Sequence, residues 1–394
     1  MSITRDTAQF IAIPQRTHLE EVANNFLQQL KSLPKGYQDF EVYKSLGHEL
    51  YTTLFAPLLT TDSIHKIVIA GDGFLLRLPF EALVYSTQGQ FPAYESLPYL
   101  ASQYNISYIP SAAIWRLLHE KRSAISAAPN SLFCVTPGFT TQLKADYLIS
   151  LADLDDQDTT YLSQRPLHAL PGYLKGLCQD YDGHFASEGE ANEKNVRQEA
   201  PGHQIIHFGT HAVKDTNHRL LSRICLAKSN EGEDTTSNDG YLETRELFNL
   251  DLTGTEMVVL QACETGDGIL DQLEGLNTMA RGFFFAGVRS VVAGLWQIDE
   301  SASIDLMDHF YREMAQGKTN VTALAEAKRQ YLQQARGIHA HPYYWAGMVF
   351  IGDEGRITLE TRNTISPWPY CLGLVALLGI AWILRHQKRK SKLI

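Results

Sequence analysis

At 394 residues the chain is long enough for two or three domains, or for one large domain with additions. It is 44% hydrophobic and 20% charged, with 15 Pro and 28 Gly, which excludes collagen-like and largely disordered classes. A net charge of −10 argues against nucleic-acid binding as the main activity.

The N-terminus has no basic region followed by an apolar run, so no secretory signal is expected. Apolar residues near helical spacing predict helices over Thr17–Lys31 and Phe40–Pro57. Short strands are expected at Lys66–Ala70, Tyr104–Ile109 and Leu132–Val135, with a helix starting at the N-cap Ser111. Residues 141–166 read as irregular and polar. Helices follow near Gly172–Tyr181 and Glu190–Ala200. Strands are then expected at Gln204–Gly209, Ile224–Ala227, Glu256–Ala262, Arg289–Gly294 and Ala346–Ile351. Helices are expected at Leu273–Ala286, Glu300–Ala315 and Val321–Ala335. Apolar strands alternating with helices predict an α/β sandwich with a mainly parallel sheet. The polar stretch 228–240 is either a regulatory loop or a solvated hairpin tip.

The C-terminal end differs from the rest. No residue from Asn363 to Leu384 is charged, and Trp368–Leu384 is nearly all apolar. Helical residues in that number span about 26 Å, slightly short of a ~30 Å hydrocarbon core. Trp368, Tyr370 and Trp382 sit near its two ends as interface anchors do, and Arg385 can snorkel. A transmembrane helix over 367–385 with a basic tail at 386–394 is therefore expected, with the body of the chain cytoplasmic; a buried core helix is the alternative. Arg385–Ile394 holds five basic residues and no acid, which leaves −15 on the remainder, so the mean hydropathy of −0.19 averages unlike parts. The five cysteines are odd in number, dispersed, and lack a CxxC pair, which predicts neither a disulfide framework nor a zinc site.

His203, His207 and His211 recur at a spacing of four, but on a strand that spacing separates side chains by about 13 Å, too far for one metal ion. Strand ends are the better guide, because functional groups in parallel sheets gather beyond the carboxyl ends of strands. His211 lies just past one expected strand and Cys263 just past another, 52 residues later. The pair suits nucleophilic catalysis: a histidine beside a thiol favours the thiolate and then protonates the leaving group. Gln261-Ala262-Cys263-Glu264-Thr265-Gly266 resembles the Gln-Ala-Cys-x-Gly signature of caspases, with one additional residue before the glycine.

Several runs together resemble the CHAT-domain family, caspase-like proteins related to separase. They are His207-Phe-Gly-Thr-His211-Ala, Val259-Leu-Gln-Ala-Cys263-Glu-Thr-Gly266, Glu274–Gly287, Val291–Glu300 and His341–Phe350, with weaker matches at Leu54–Leu58, Gly71–Leu83 and Ile109–Ala112. The resemblance implies a caspase-hemoglobinase-like three-layer sandwich and a cysteine endopeptidase that needs no cofactor or metal. It divides the chain into a helical segment 1–60, a noncatalytic half 61–165 and a catalytic half 166–355. It assigns Cys263 as nucleophile and His211 as its partner, with the backbone N–H groups of Ala212 and Cys263 as the oxyanion hole. Caspases carry Gly where this chain has Ala212. Asp299, Glu300 and Trp296, with Glu264 and Asp267 as competing acids, resemble a pocket for a basic side chain; Asp299 and Glu300 read equally well as a helix N-cap and a first-turn acid. The family also implies a protein substrate, with a gasdermin-like pore former as one class, and a role in bacterial stress or antiviral defence; because no repeat region precedes the domain in this sequence, a separate activator or sensor is expected. Competing functions are an inactive signalling scaffold at the membrane and another acyl-transfer enzyme such as a thioesterase, although no Gly-x-Ser-x-Gly stands near a strand end.

Overall fold

A computed structural model describes residues 2–3, 8–10, 12, 16–59, 64–121, 128, 130–150, 156–213, 219–228, 238–261, 263–264, 272–296 and 298–359. At 2–3, 121, 150, 156–157, 219, 263–264 and 272–278 it describes the backbone. The expected membrane span at 367–385 and the basic tail lie outside the described residues. Among the described residues, no helix is long and apolar enough to cross a membrane.

A two-residue ladder joins β1 (Ser2–Ile3) to β2 (Ala8–Gln9). Helices α1 (Arg16–Lys31) and α2 (Tyr37–Leu54) pack together, burying Phe26 and Leu30 of the first and Tyr43 and Leu50 of the second. β3 (Lys66–Ile69), β4 (Asn105–Tyr108), α3 (Ala112–Lys121) and β5 (Asn130–Thr136) follow within a few residues of their expected bounds. Residues 141–166 depart from expectation, since they hold α4 (Thr141–Ser150) and α5 (Asp156–Leu162). Their buried residues include tyrosines rather than an aliphatic stripe: Tyr147 and Tyr161 form a small core of their own with Phe139, Cys225 and Tyr241. Next come α6 (Leu170–Asp180), an unexpected short strand β6 (His184–Ser187), α7 (Glu193–Glu199) and β7 (His203–Phe208). Three brief strands, β8 (His211–Val213), β9 (Arg223–Cys225) and β10 (Tyr241–Glu243), lead into α8 (Thr244–Leu247). The chain then runs through β11 (Met257–Leu260), β12 (Cys263–Glu264), α9 (Gln272–Ala286), β13 (Ser290–Gly294), α10 (Glu300–Ala315), α11 (Asn320–Gln334) and β14 (Met348–Gly352).

The main sheet has eight strands in the order β3-β4-β14-β13-β11-β7-β5-β6. Every neighbouring pair is parallel except β13–β14. That junction reverses direction, so β3 and β4 run opposite to β7 and β11. Strands β11 and β14 are buried at every position, which requires cover on both faces. α6, α10 and α11 pack in series, with α6 on β5 and β6 and α11 on β4, whereas α9 contacts β13 and packs with α8. α9 stops at Gly287, whose φ of 108° suits a residue without Cβ, and Val288 N–H closes the helix end on Phe283 O at 3.0 Å. A second sheet, β10-β9-β8-β12, continues from the carboxyl ends of β7 and β11.

Residues 1–360 form one compact unit, and its buried apolar cluster runs from Leu19 to Leu359. A polar tie crosses that core. Lys328 of α11 pairs with Glu81 at 2.7 Å, both nearly fully buried, and the Tyr108 hydroxyl of β4 donates to the same carboxylate. Removing one partner of a buried pair leaves the other charge uncompensated, at a cost of about 3–5 kcal/mol. Lys328→Met should therefore lower unfolding free energy in urea by about that amount. Joint replacement with Glu81→Leu should recover part of the loss, and an unaffected single variant would contradict this account.

Candidate active site

Strand β7 ends at Phe208, and the next residue must turn the chain against α6. A Cβ on Gly209 would meet the Leu170 and Leu174 side chains, so a larger residue there would have to displace them. The ladder still carries on, with Gly209 N–H donating to Val135 O and Gln261 N–H to Phe208 O, both at 2.9 Å. Thr210 fastens the turn by donating its hydroxyl to Cys225 O. The parallel register of β7 and β11 pairs Leu260 with Phe208, and that of β8 and β12 pairs Cys263 with His211 and Glu264 with Ala212. Both ladders share an offset of 52 residues, so the small sheet inherits the register of the large one. The two residues singled out by their strand-end positions are thus direct neighbours in the backbone ladder. Ala212 pairs on its other side with Ile224 of β9.

His211 is 4% exposed. Its Nε2 lies 2.7 Å from the Arg165 carbonyl oxygen. A carbonyl can only accept, so Nε2 carries the proton, and Nδ1 of the neutral ring holds the lone pair. Nδ1 is buried without a hydrogen-bond partner among the described residues. The ring also packs on Phe139, with centroids 5.0 Å apart. Burial lowers the His211 pKa, and the Lys144 and Arg165 charges lower it further; the Arg165 carbonyl and the Glu300 carboxylate work the other way. The net depression keeps the resting imidazole neutral and basic at Nδ1.

The other two histidines have separate partners. His203 Nδ1 lies 2.8 Å from Glu199 O, and the ring stacks on Phe133. His207 is fully buried between Tyr311 and Gln261: its Nδ1 lies 2.9 Å from the Tyr311 hydroxyl and its Nε2 2.9 Å from Gln261 Oε1. Gln261 Nε2 donates onward to Ser303 Oγ at 2.9 Å. Burial pushes the His207 pKa down to about 3.

The acids of the expected specificity pocket are engaged within the fold. Asp299 is the N-cap of α10: its Oδ1 accepts from Ala302 N–H at 3.0 Å and from the Ser301 hydroxyl. Partial burial opposes its charge, but these bonds outweigh burial and hold its pKa below the ordinary value. Glu300 Oε1 accepts from the backbone N–H groups of His168, Ala169 and Leu170 at 3.2, 2.9 and 2.8 Å. Trp296 is buried and donates its indole N–H to Tyr343 O at 2.9 Å. Glu264 is placed by its backbone pairing with Ala212, and Asp267 lies outside the described residues. Among the described residues no group of histidines, cysteines and acids could hold a metal ion. The Arg165 carbonyl is the site component that sequence reading missed. It is a backbone atom, and side-chain identity carries no signal for it.

The CHAT domain model matches residues 44–353. Tetratricopeptide repeat protein 28 of Mus musculus is 28% identical over 116 residues, covering 29% of this chain and 5% of that protein. Its Homo sapiens counterpart is 30% identical over 116 residues, covering 29% and 4%. The aligned stretch therefore spans about a twentieth of these curated relatives. Among solved structures, the Saccharomyces cerevisiae separase–securin complex gives a TM-score of 0.41 at 10% identity, over 82% of this chain and 18% of that chain. A structure described as a protease gives 0.37 at 11% identity, over 88% and 75%.

The buried histidines make stability depend on pH. His207 near 3 and His341 near 4 both lie below the unfolded value of about 6.5. The unfolded chain binds more protons between those limits, so the stability is present above about pH 6.5 and is lost as pH falls. The expected slope is up to about 1.4 kcal/mol per pH unit for each histidine. Urea unfolding at pH 7.5, 6.5 and 5.5 should show it, and His207→Gln should flatten it; an unchanged slope would rule out His207 as a titrating group.

Proposed function

The chain belongs to the CHAT-domain family, and from that membership we propose that it is a cysteine endopeptidase with Cys263 as nucleophile and His211 as its base and acid. The observation that carries this reading is the ladder contact between Cys263 and His211, together with a histidine anchored through Nε2–H and holding an unpartnered lone pair at Nδ1. In this mechanism the Cys263 thiol gives its proton to His211 Nδ1. The thiolate attacks the peptide carbonyl, forming a C–S bond, while the Arg165 carbonyl stabilises the imidazolium. The N–H groups of Ala212 and Cys263 receive the oxyanion. Collapse breaks the C–N bond, and the Nδ1 proton leaves with the amine. Water then gives a proton to Nδ1, attacks the thioester, and releases the acid and the restored thiol. The reaction requires no cofactor or metal.

Asp299 is the acid we assign to a pocket preferring a basic side chain, since it is exposed, held ionised, and follows Trp296 by three positions. Attachment to a membrane through 367–385 is supported by the uncharged apolar run and its basic flank. Such attachment, with the body cytoplasmic, would raise the effective concentration of a membrane-acting protein substrate, for which a gasdermin-like pore former is the proposed class. Control by a separate activator, in bacterial stress or antiviral defence, completes the proposal.

A peptide-library digest with the full chain in detergent tests the central claim. Cys263→Ala and His211→Ala should each lower cleavage by about 10³-fold or more. Cleavage retained by Cys263→Ala would sink the mechanism. Selective labelling of Cys263 by a thiol-reactive peptide probe, lost in His211→Ala, separates the enzyme from an inactive scaffold.

A further inference from the structure

The residues that hold His211 lie on a segment with no secondary structure for most of its length, between α5 and α6. Residues 163–170 form a strap over the imidazole. Its position is fixed from three sides. Lys144 of α4 donates to Gln164 O, and Leu167 N–H donates to Gly138 O at 2.9 Å. At the far end, α6 begins without local help, because its N-cap is Ala169, with no side-chain oxygen to receive the first amides. Glu300, 130 residues downstream, supplies that oxygen through the three amides of His168, Ala169 and Leu170.

We propose that Glu300 is a positioning residue for His211, acting through the strap whose Arg165 carbonyl receives the imidazole N–H. The proposal rests on the cysteine–histidine reading of the site and replaces substrate binding as the role of this acid. Glu300 is itself tied to the nucleophile's strand: Ser303 Oγ donates to Glu300 O, and Gln261 Nε2 donates to Ser303 Oγ, each at 2.9 Å. Gln261 stands two residues before Cys263. One turn of α10 therefore reads both sides of the pair: its carboxylate sets the histidine's acceptor, and its serine sets the strand leading to the thiol. The charged groups that act on His211 are Lys144 from α4, Arg165 from the strap and Glu300 from α10, with Cys263 adjacent in the ladder; Glu300 is the anion among these charges that favours the protonated ring.

The test is the pH dependence of Cys263 alkylation by iodoacetamide in the full chain, mapped by mass spectrometry so that the other cysteines do not contribute. It requires no knowledge of the substrate. A histidine held in place lowers the midpoint for thiolate formation below the free value of about 8.5. Glu300→Gln keeps an acceptor for the amides but removes the charge, and Glu300→Ala removes both. Both should raise that midpoint, with alkylation at pH 7 slowed by about tenfold, the lower end for outer partners that orient a histidine. Glu300→Asp should recover part of the loss. Thr319→Ala removes the N-cap of α11 and serves as a destabilised control, with an unchanged profile. Profiles of Glu300→Gln and Glu300→Ala that overlay the unmodified protein would overturn the proposal, as would an equal change in Thr319→Ala. A midpoint near 8.5 in the unmodified protein, unmoved by His211→Ala, would instead reject the underlying cysteine–histidine reading.

Discussion

The parallel pairing of β7 with β11 is the constraint from which the site follows. A slip of this ladder by one residue would move every side chain to the other face, and almost every position of both strands is buried, so the close packing of both faces would have to be rebuilt. Once Leu260 stands opposite Phe208, the same offset carried past the strand ends sets Cys263 opposite His211. The large sheet thus defines the small one. The glycine at 209, the hydroxyl of Thr210 and the amide of Gln261 keep the two in continuity where the chain leaves the main layer.

Local pattern made much of this fold legible. Met257–Leu260 and Ser290–Gly294 are apolar runs long enough for a buried strand and too short for a helix, and α10 and α11 carry regular apolar spacing between an Asp or Thr cap and a polar stop. Strand-end position, together with the resemblance of residues 261–266 to a caspase signature, brought His211 and Cys263 to notice. What escaped was of another kind. α4 and α5 bury tyrosines in a minor core, so their composition reads as polar. β12, at two residues, is too short to show a period, and β6 buries only Ala186 of its four residues. The orienting carbonyl of Arg165 leaves no trace in residue type, and Glu300 meets its amides across 130 positions of sequence.

Asp299 and Glu300 show how adjacent residues of one charge come to serve different helices. Asp299 caps the helix that it begins, a short-range arrangement that sequence alone suggests. Glu300 reaches out of that helix to receive the amides opening α6, which has no cap of its own. Each carboxylate meets a positive helix end, so both charges are stabilised although they are neighbours. Removal of either would expose amides that must find another acceptor or water.

The shared offset of the two ladders has a consequence for the chain between them. Register is set by strand pairing, so those parts of the connection from β8 to β11 that lie outside β9, β10 and α8 can change length without disturbing the pair. Doubling a flexible connection costs only about 0.6 kcal/mol in closure entropy. The 52-residue interval is therefore an accident of this chain's connecting segments, whereas the strand ends are an invariant of its architecture. Insertions could enter the polar stretch 228–240, adding a recognition element or a cleavage point, while the pairing of Cys263 with His211 beyond β7 and β11 stays in place.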